Sequence, residues 1–183
     1  MSGKLTFKPV TAKTVGDFEA LFGARGGPNW CWCMAWRATS AELKDAKSPA
    51  RKQQMLDRIA DGVPVGLVAY DKGTPVAWVS VAPKDTFQPG LGGVKETDKV
   101  WSLTCMFIAR DHRKQGLSAQ LIEAAARHAK KHKATILEAY PVDPDSPSYR
   151  HMGFVPAFKR AGFEADGREG TRRHVMHLTL DRQ

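Results

Sequence analysis

The sequence predicts an α/β fold: one domain over residues 1–183, with a mixed, mostly antiparallel sheet, one parallel strand pair, and helices on both faces. Three observations predict it. The apolar runs VPVGLVAY (63–70) and TPVAWVSVA (74–82) flank Asp71–Lys72–Gly73, a strong hairpin signal. KVWSLTCMFIA (99–109) is almost continuously apolar, as expected of a strand buried on both faces. An amphipathic helix then separates it from a second apolar run, ATILEAYPV (134–142), and strand–helix–strand order implies a parallel pair with a right-handed crossover.

In chain order, LTFKPV (5–10) alternates weakly and reads as a first strand. Thr14 is placed to cap a short helix through Phe18, Leu21 and Phe22, ending in the Gly23–Pro28 turn region. An aromatic segment, NWCWCMAWR (29–37), follows. Ser40 and Glu42 open a polar helical stretch to about Ile59, with Met55, Leu56 and Ile59 on one side and Pro49 expected to interrupt it. After the hairpin, a loop rich in Gly and Lys runs from Pro83 to about Thr97. In the helix after the 99–109 strand, Leu117, Leu121, Ala124, Ala125 and His128 recur at helical spacing. Pro141, Pro144 and Pro147 enforce a loop, Pro156 suits the first turn of a short helix, and Gly162 suits its end. RHVMHLTL (173–180) is expected to be the last strand.

At 183 residues, 42% hydrophobic and 26% charged, with mean hydropathy −0.40, the composition is that of a globular chain. No apolar run approaches the roughly 20 residues of a membrane span. The start, MSGKLTFKPV, lacks the apolar core of a signal peptide, so a cytoplasmic location with no membrane partner is expected. Cys31, Cys33 and Cys105 are too few for a disulfide framework. A net charge of +9 favours polyanionic partners, and much of it sits in RHAKKHK (127–133) and at Arg168, Arg172, Arg173 and His174. Coenzyme phosphates and nucleic acid are both served by such charge, and a solvated surface explains it equally well.

Chemistry concentrates at the junction between the 99–109 strand and its helix, in Arg113–Lys114–Gln115–Gly116–Leu117–Ser118. A helix N-terminus presents unpaired N–H groups and partial positive charge, Gly116 admits close backbone approach, and Arg113 and Lys114 add cations. Such a junction suits a pyrophosphate. RKQGLS resembles the acyl-CoA signature of the GCN5-related N-acetyltransferase (GNAT) superfamily, departing from it only at Ser118, where Gly or Ala is usual. FIARDHR (107–113) looks like that family's strand end and bulge, and FKRAGF (158–163) its last helix and turn.

The resemblance implies the acyl-CoA N-acyltransferase fold, with the parallel pair splayed by a bulge and acetyl-CoA as co-substrate in the gap. By it, the backbone of Phe107 and Ile108 pairs with the pantetheine arm, and the amides from Lys114 to Ser118 hold the pyrophosphate. An oxyanion forming at the thioester would meet a backbone N–H of Phe107 or Ile108. No metal is implied. The acceptor is an amine of a small molecule or peptide, which attacks the thioester directly once a base has taken its proton. Many family members protonate the leaving thiolate with a tyrosine where this chain has Phe158, so Tyr140 and Tyr149 become the replacements to consider. Glu138 is the general-base candidate, since Ile136, Glu138 and Tyr140 share one strand face; a structural ion pair is the equal alternative.

Trp30, Cys31, Trp32, Cys33 and Trp36 fall within seven residues. Trp30 and Trp32 suit an acceptor clamp, whereas a hydrophobic cap over the sheet is favoured for Trp36 and Cys31. Zinc at Cys–x–Cys and a nucleophilic cysteine rank far lower, because no further ligand set at metal spacing appears and the family mechanism needs no thiol. Two other functions compete with the enzyme: a non-catalytic acyl-CoA sensor, kept open by Phe158, and a nucleic-acid binder, ranked last because no aromatic platform accompanies the basic patches. Monomer and homodimer both remain open.

Overall fold

The computed structural model describes residues 3–45, 47–95 and 99–180. The chain's two ends, Ala46 in the 40–59 stretch and the end of the 83–97 loop lie outside the described residues. Seven strands, β1 (Thr6–Pro9), β2 (Gly66–Asp71), β3 (Thr74–Pro83), β4 (Val100–Ile108), β5 (Ile136–Ala139), β6 (Glu164–Glu169) and β7 (Arg173–Thr179), form one sheet in the order β1-β2-β3-β4-β5-β7-β6. Four helices accompany them: α1 (Val15–Gly23), α2 (Ser48–Ala60), α3 (Leu117–Lys131) and α4 (Val155–Arg160). Among the described strands only β4 and β5 pair in parallel; the other strand pairs are antiparallel. The expected mixed sheet is therefore present. Among the described residues no helix is long and apolar enough to cross a membrane.

Strand alternation divides the core. Leu67 and Ala69 of β2, with Val79, Val81 and Leu103, pack against Leu117, Leu121, Ile122, Ala125 and Ala129 of α3 and Phe158 of α4. Val68, Tyr70 and Trp78 face the other way, against Phe18 and Phe22 of α1, Met55 and Ile59 of α2, and Trp32 and Met34. Each face is thereby closed by helices whose apolar stripes the sequence carries.

Several elements differ from expectation. Pro49 lies in the first turn of α2, where its missing N–H is no loss, so the helix begins at Ser48. Ahead of it Thr39, rather than Ser40, opens the stretch: Thr39 and Glu42 exchange side-chain and backbone hydrogen bonds (3.2 and 2.7 Å), which supports one short helical turn at Glu42–Lys44. The Thr14 hydroxyl donates to the Pro9 carbonyl (2.7 Å) and does not cap α1. The expected 134–142 strand ends at Ala139, leaving only an isolated bridge at Val142. Finally, β6 was not expected from its sequence, EADGRE, which is charged and exposed almost throughout. It is held by hairpin pairing with β7 rather than by burial.

Candidate active site

β4 runs beside β5 only from Val100 to Leu103; beyond this, Met106–Ile108 have no strand on that side. β5 cannot follow because Pro141 lacks an N–H, and the chain bends away to bridge Phe154 and Arg173 through Val142. The bulge that reorients β4 is at Thr104, the extra residue between the Ser80–Cys105 and Val81–Leu103 pairs, and so precedes the expected position near Phe107. The Ala109 N–H donates to the Val76 carbonyl on the β3 side (2.8 Å). Alternation then turns the N–H and C=O groups of Ile108 and Met106 to the open side. The Ile108 carbonyl there accepts from Arg113 Nε (2.9 Å). Phe107 consequently offers this gap its ring, not its backbone.

A groove of about 570 Å³ follows the open edge, walled by Met106, Phe107, Ser118, Arg150, His151 and Phe154 among others. At its far end α3 begins. Gly116, at the N-cap, has φ +73° and empty space where a Cβ would stand, and no side chain caps the helix. Leu117 sends its side chain into the core, so only its backbone belongs to this end. Lys114 and Gln115 are exposed, the latter donating to the Asp111 carbonyl (3.2 Å). The residues of 113–118 thus form an open, basic, donor-rich turn, which fits a phosphate-bearing coenzyme.

A second pocket, of about 270 Å³, shares Met106, Phe107, Arg113 and His151 with the groove and extends to Trp30, Trp36 and all three cysteines. Trp30 is exposed at its rim. Trp32 does not reach it: its ring is buried, stacked on Phe22 (5.4 Å between centroids) below Lys52. Trp36 and Cys31, expected in a cap, line the pocket instead. His151 escaped the sequence reading, because nothing in its spacing marks it; only the fold brings it to the wall of both cavities. Desolvation of the ring along that wall, then the Arg173 cation, lower its pKa, although the residue as a whole is exposed to solvent.

Glu138 lies elsewhere in the bonding scheme. It is fully buried on β5, and its Oε1 accepts from Lys84 Nζ and the Tyr140 hydroxyl. Its Oε2 accepts from the Val94 N–H (3.0 Å) and His177 Nε2 (2.6 Å). Burial alone would raise its pKa, but Lys84 foremost, then Tyr140, Val94 and His177, hold it below the ordinary carboxylate value. Tyr140 is buried too; it receives hydrogen bonds from Lys84 (2.7 Å) and Ser102 (2.8 Å), and burial followed by the Glu138 charge drives its pKa far up. Gly93 covers this network, since a Cβ there would stand 2.1 Å from Glu138 Oε1. Tyr149 is half-exposed, beside Trp36 (6.1 Å) and the Arg173 guanidinium (5.5 Å). Phe158 is buried, edge-on to Phe163.

The Acetyltransferase (GNAT) family model matches residues 32–154, two thirds of the chain and all of the splayed region. The chain belongs to the GNAT family. Its fold is also that of solved GNAT structures. AAC(6')-Ib, solved with ribostamycin and coenzyme A, superposes with TM-score 0.61 at 18% identity, over 97% of this chain and 94% of that one. The yncA protein of Salmonella typhimurium, solved with acetyl-CoA, gives 0.60 at 14% identity, over 99% and 96%. A ribosomal-protein-alanine N-acetyltransferase from Brucella melitensis gives 0.59 at 20% identity, over 96% and 99%. No curated protein matches the chain. Among the described residues of this GNAT chain, no cluster of His, Cys, Asp or Glu is arranged to hold a metal ion.

Proposed function

We propose that this GNAT chain transfers the acetyl group of acetyl-CoA to an amine of a small molecule or peptide. The observation that carries the reading is the unpaired edge of β4 at Met106 and Ile108, which runs directly toward the uncapped start of α3 at Gly116. An extended pantetheine amide chain can pair with that edge as a further strand would, and the pyrophosphate can dock on the N–H groups of Leu117 and Ser118 with Lys114 beside it. The thioester then lies where groove and pocket meet, at Met106, Phe107 and His151.

His151 is the group best suited to take the amine's proton. It touches both cavities, and its lowered pKa keeps the imidazole neutral and able to accept at neutral pH. Glu138 and Tyr140 have their proton sites committed to each other and to Lys84, so both are read as supports of the sheet. No carboxylate lines the pocket among the described residues; Trp30, Trp36 and Phe107 dominate it. An acceptor with an aromatic or aliphatic body and one amine suits it better than a polycation. A non-catalytic acyl-CoA sensor is the second reading, favoured by Phe158, which has no proton to give the departing thiolate.

Calorimetry with acetyl-CoA, coenzyme A and ADP tests the site, using Gly116→Asp against Gly116→Asn. Both side chains bear the same left-handed backbone strain, and they differ in charge. Asp is expected to weaken coenzyme binding at least about tenfold more than Asn, about 1.4 kcal/mol. Equal affinities in folded variants would overturn the pyrophosphate assignment. Binding without turnover of any aromatic or aliphatic amine would select the sensor.

A further inference from the structure

All three cysteines are free, and although Cys105 is distant in sequence they meet at one pocket. Cys33 is turned inward by two consecutive residues in the left-handed region, Trp32 (φ 47°) and Cys33 itself (φ 58°), a strained arrangement for non-glycine residues. Beside it lies Arg37, 1% exposed. Its guanidinium donates to the Cys33 carbonyl (2.9 Å), the Val65 carbonyl (2.8 Å) and Ser80 Oγ (2.8 Å), all neutral acceptors. Arg37 Nε has no hydrogen-bond partner, and neither does the buried Trp78 Nε1. A buried cation without a counter-anion is costly, and so is each orphaned donor. Trp78 and Cys105 lie with Cys33 in one buried cluster, and Cys33 and Cys105 both line the pocket. These donors and this cation form the surroundings that an anionic sulfur requires.

We propose that Cys33 is a peroxide-sensitive thiolate at the pocket wall, with Cys105 as its resolving thiol. The Cys33 thiolate attacks one peroxide oxygen; the S–O bond forms, the O–O bond breaks, and the departing oxygen leaves as hydroxide or alkoxide and takes up a proton. Cys105 then attacks the sulfenic sulfur; the S–S bond forms, the S–O bond breaks, and water leaves. The two thiols together lose two electrons, which the peroxide receives. The acid–base pattern agrees with these roles. The Cys105 thiol foremost, against burial and with Arg37, brings Cys33 below the ordinary thiol range, while hydrogen bonding to Cys33 and then burial push Cys105 well up. Cys31, pushed to about 11 mainly by burial, stays a thiol. The inference does not depend on acetyl transfer.

The test treats the folded protein with hydrogen peroxide, blocks remaining thiols with iodoacetamide, and maps the peptides by mass. The expected product is a Cys33–Cys105 disulfide, reversed by dithiothreitol and still formed in Cys31→Ser. Cys105→Ser is expected to leave a dimedone-reactive sulfenic acid at Cys33, and Cys33→Ser to abolish both products. In wild type, the rate of iodoacetamide alkylation at Cys33 should rise with a midpoint well below the 8.5 or so of an ordinary thiol. Unaltered thiols after peroxide, a bridge to Cys31, or an alkylation midpoint above about 8 would each overturn the proposal.

Discussion

Replacing the carboxylate of Glu138 by an amide takes the negative charge and one of two acceptor oxygens from Lys84, Tyr140, His177 and the Val94 N–H. Breaking one side of a buried ion pair costs about 3–5 kcal/mol, and Glu138→Gln is expected to lose that much in denaturant unfolding. The folded-state pKa of Glu138 lies below its ordinary value. Its contribution is therefore complete above the unfolded pKa of about 4.3 and is lost as pH falls through the lower folded value. His151 carries no such network, so His151→Gln should keep its stability while amine acetylation falls about a hundredfold, less at high pH, where the amine is already neutral. Equal loss at every pH would mean that His151 only shapes the pocket. The two residues show what a sequence can and cannot display. Glu138 stands out because a carboxylate within an apolar strand needs a partner, but apart from nearby Tyr140 its partners come from the turn after β3, the 92–94 loop and β7. His151 has no such mark.

At the scale of elements, α3 joins the site to the sheet's stability. Its first turn has no side-chain cap, and its length packs on β3 and β4. Toward its end His128 packs edge-on to Trp101 (5.5 Å) and against His132 (4.6 Å). Burial first, then His132 and Lys131, lower its pKa to about 4. The neutral ring is favoured in the fold, so this contribution is complete above the unfolded value of about 6.5 and disappears as pH drops toward about 4. Between pH 7 and 5, the denaturation midpoint of wild type should fall more than that of His128→Gln; parallel curves would remove His128 as the cause. The helix was legible in the sequence because Leu117, Leu121, Ala124 and Ala125 repeat at its period and RKQG opens it. The place where β5 stops was less so. Pro141 marks a break, but only the route through Val142 shows that the break opens the groove.

For the molecule as a whole, the mixed sheet, the parallel pair and the glycine-led start of α3 could be inferred because each rests on local pattern: a hairpin turn, two apolar runs, and a glycine at a helix start. The pocket beside the groove could not, since it joins Trp30, Trp36, Phe107 and His151 from three distant segments. The 29–37 segment announced its importance by composition alone, and the fold exchanged the roles expected for Trp32 and Trp36. β6 was missed for a related reason, as nothing apolar in it records a partner.

That same strand has a consequence for how the sheet ends. An outermost strand offers a row of unused backbone groups on which another chain can extend the ladder. Here the row at one margin is flanked by Glu164, Asp166, Arg168 and Glu169, in a strand exposed along nearly its whole length. The opposite margin, β1, carries Lys8 and closes with Pro9, which has no proton to donate. Any strand adding at either side would have to strip water from fixed charges or face a missing donor. The features that hid β6 from a hydrophobic pattern are therefore those that protect the protein against edge-to-edge aggregation.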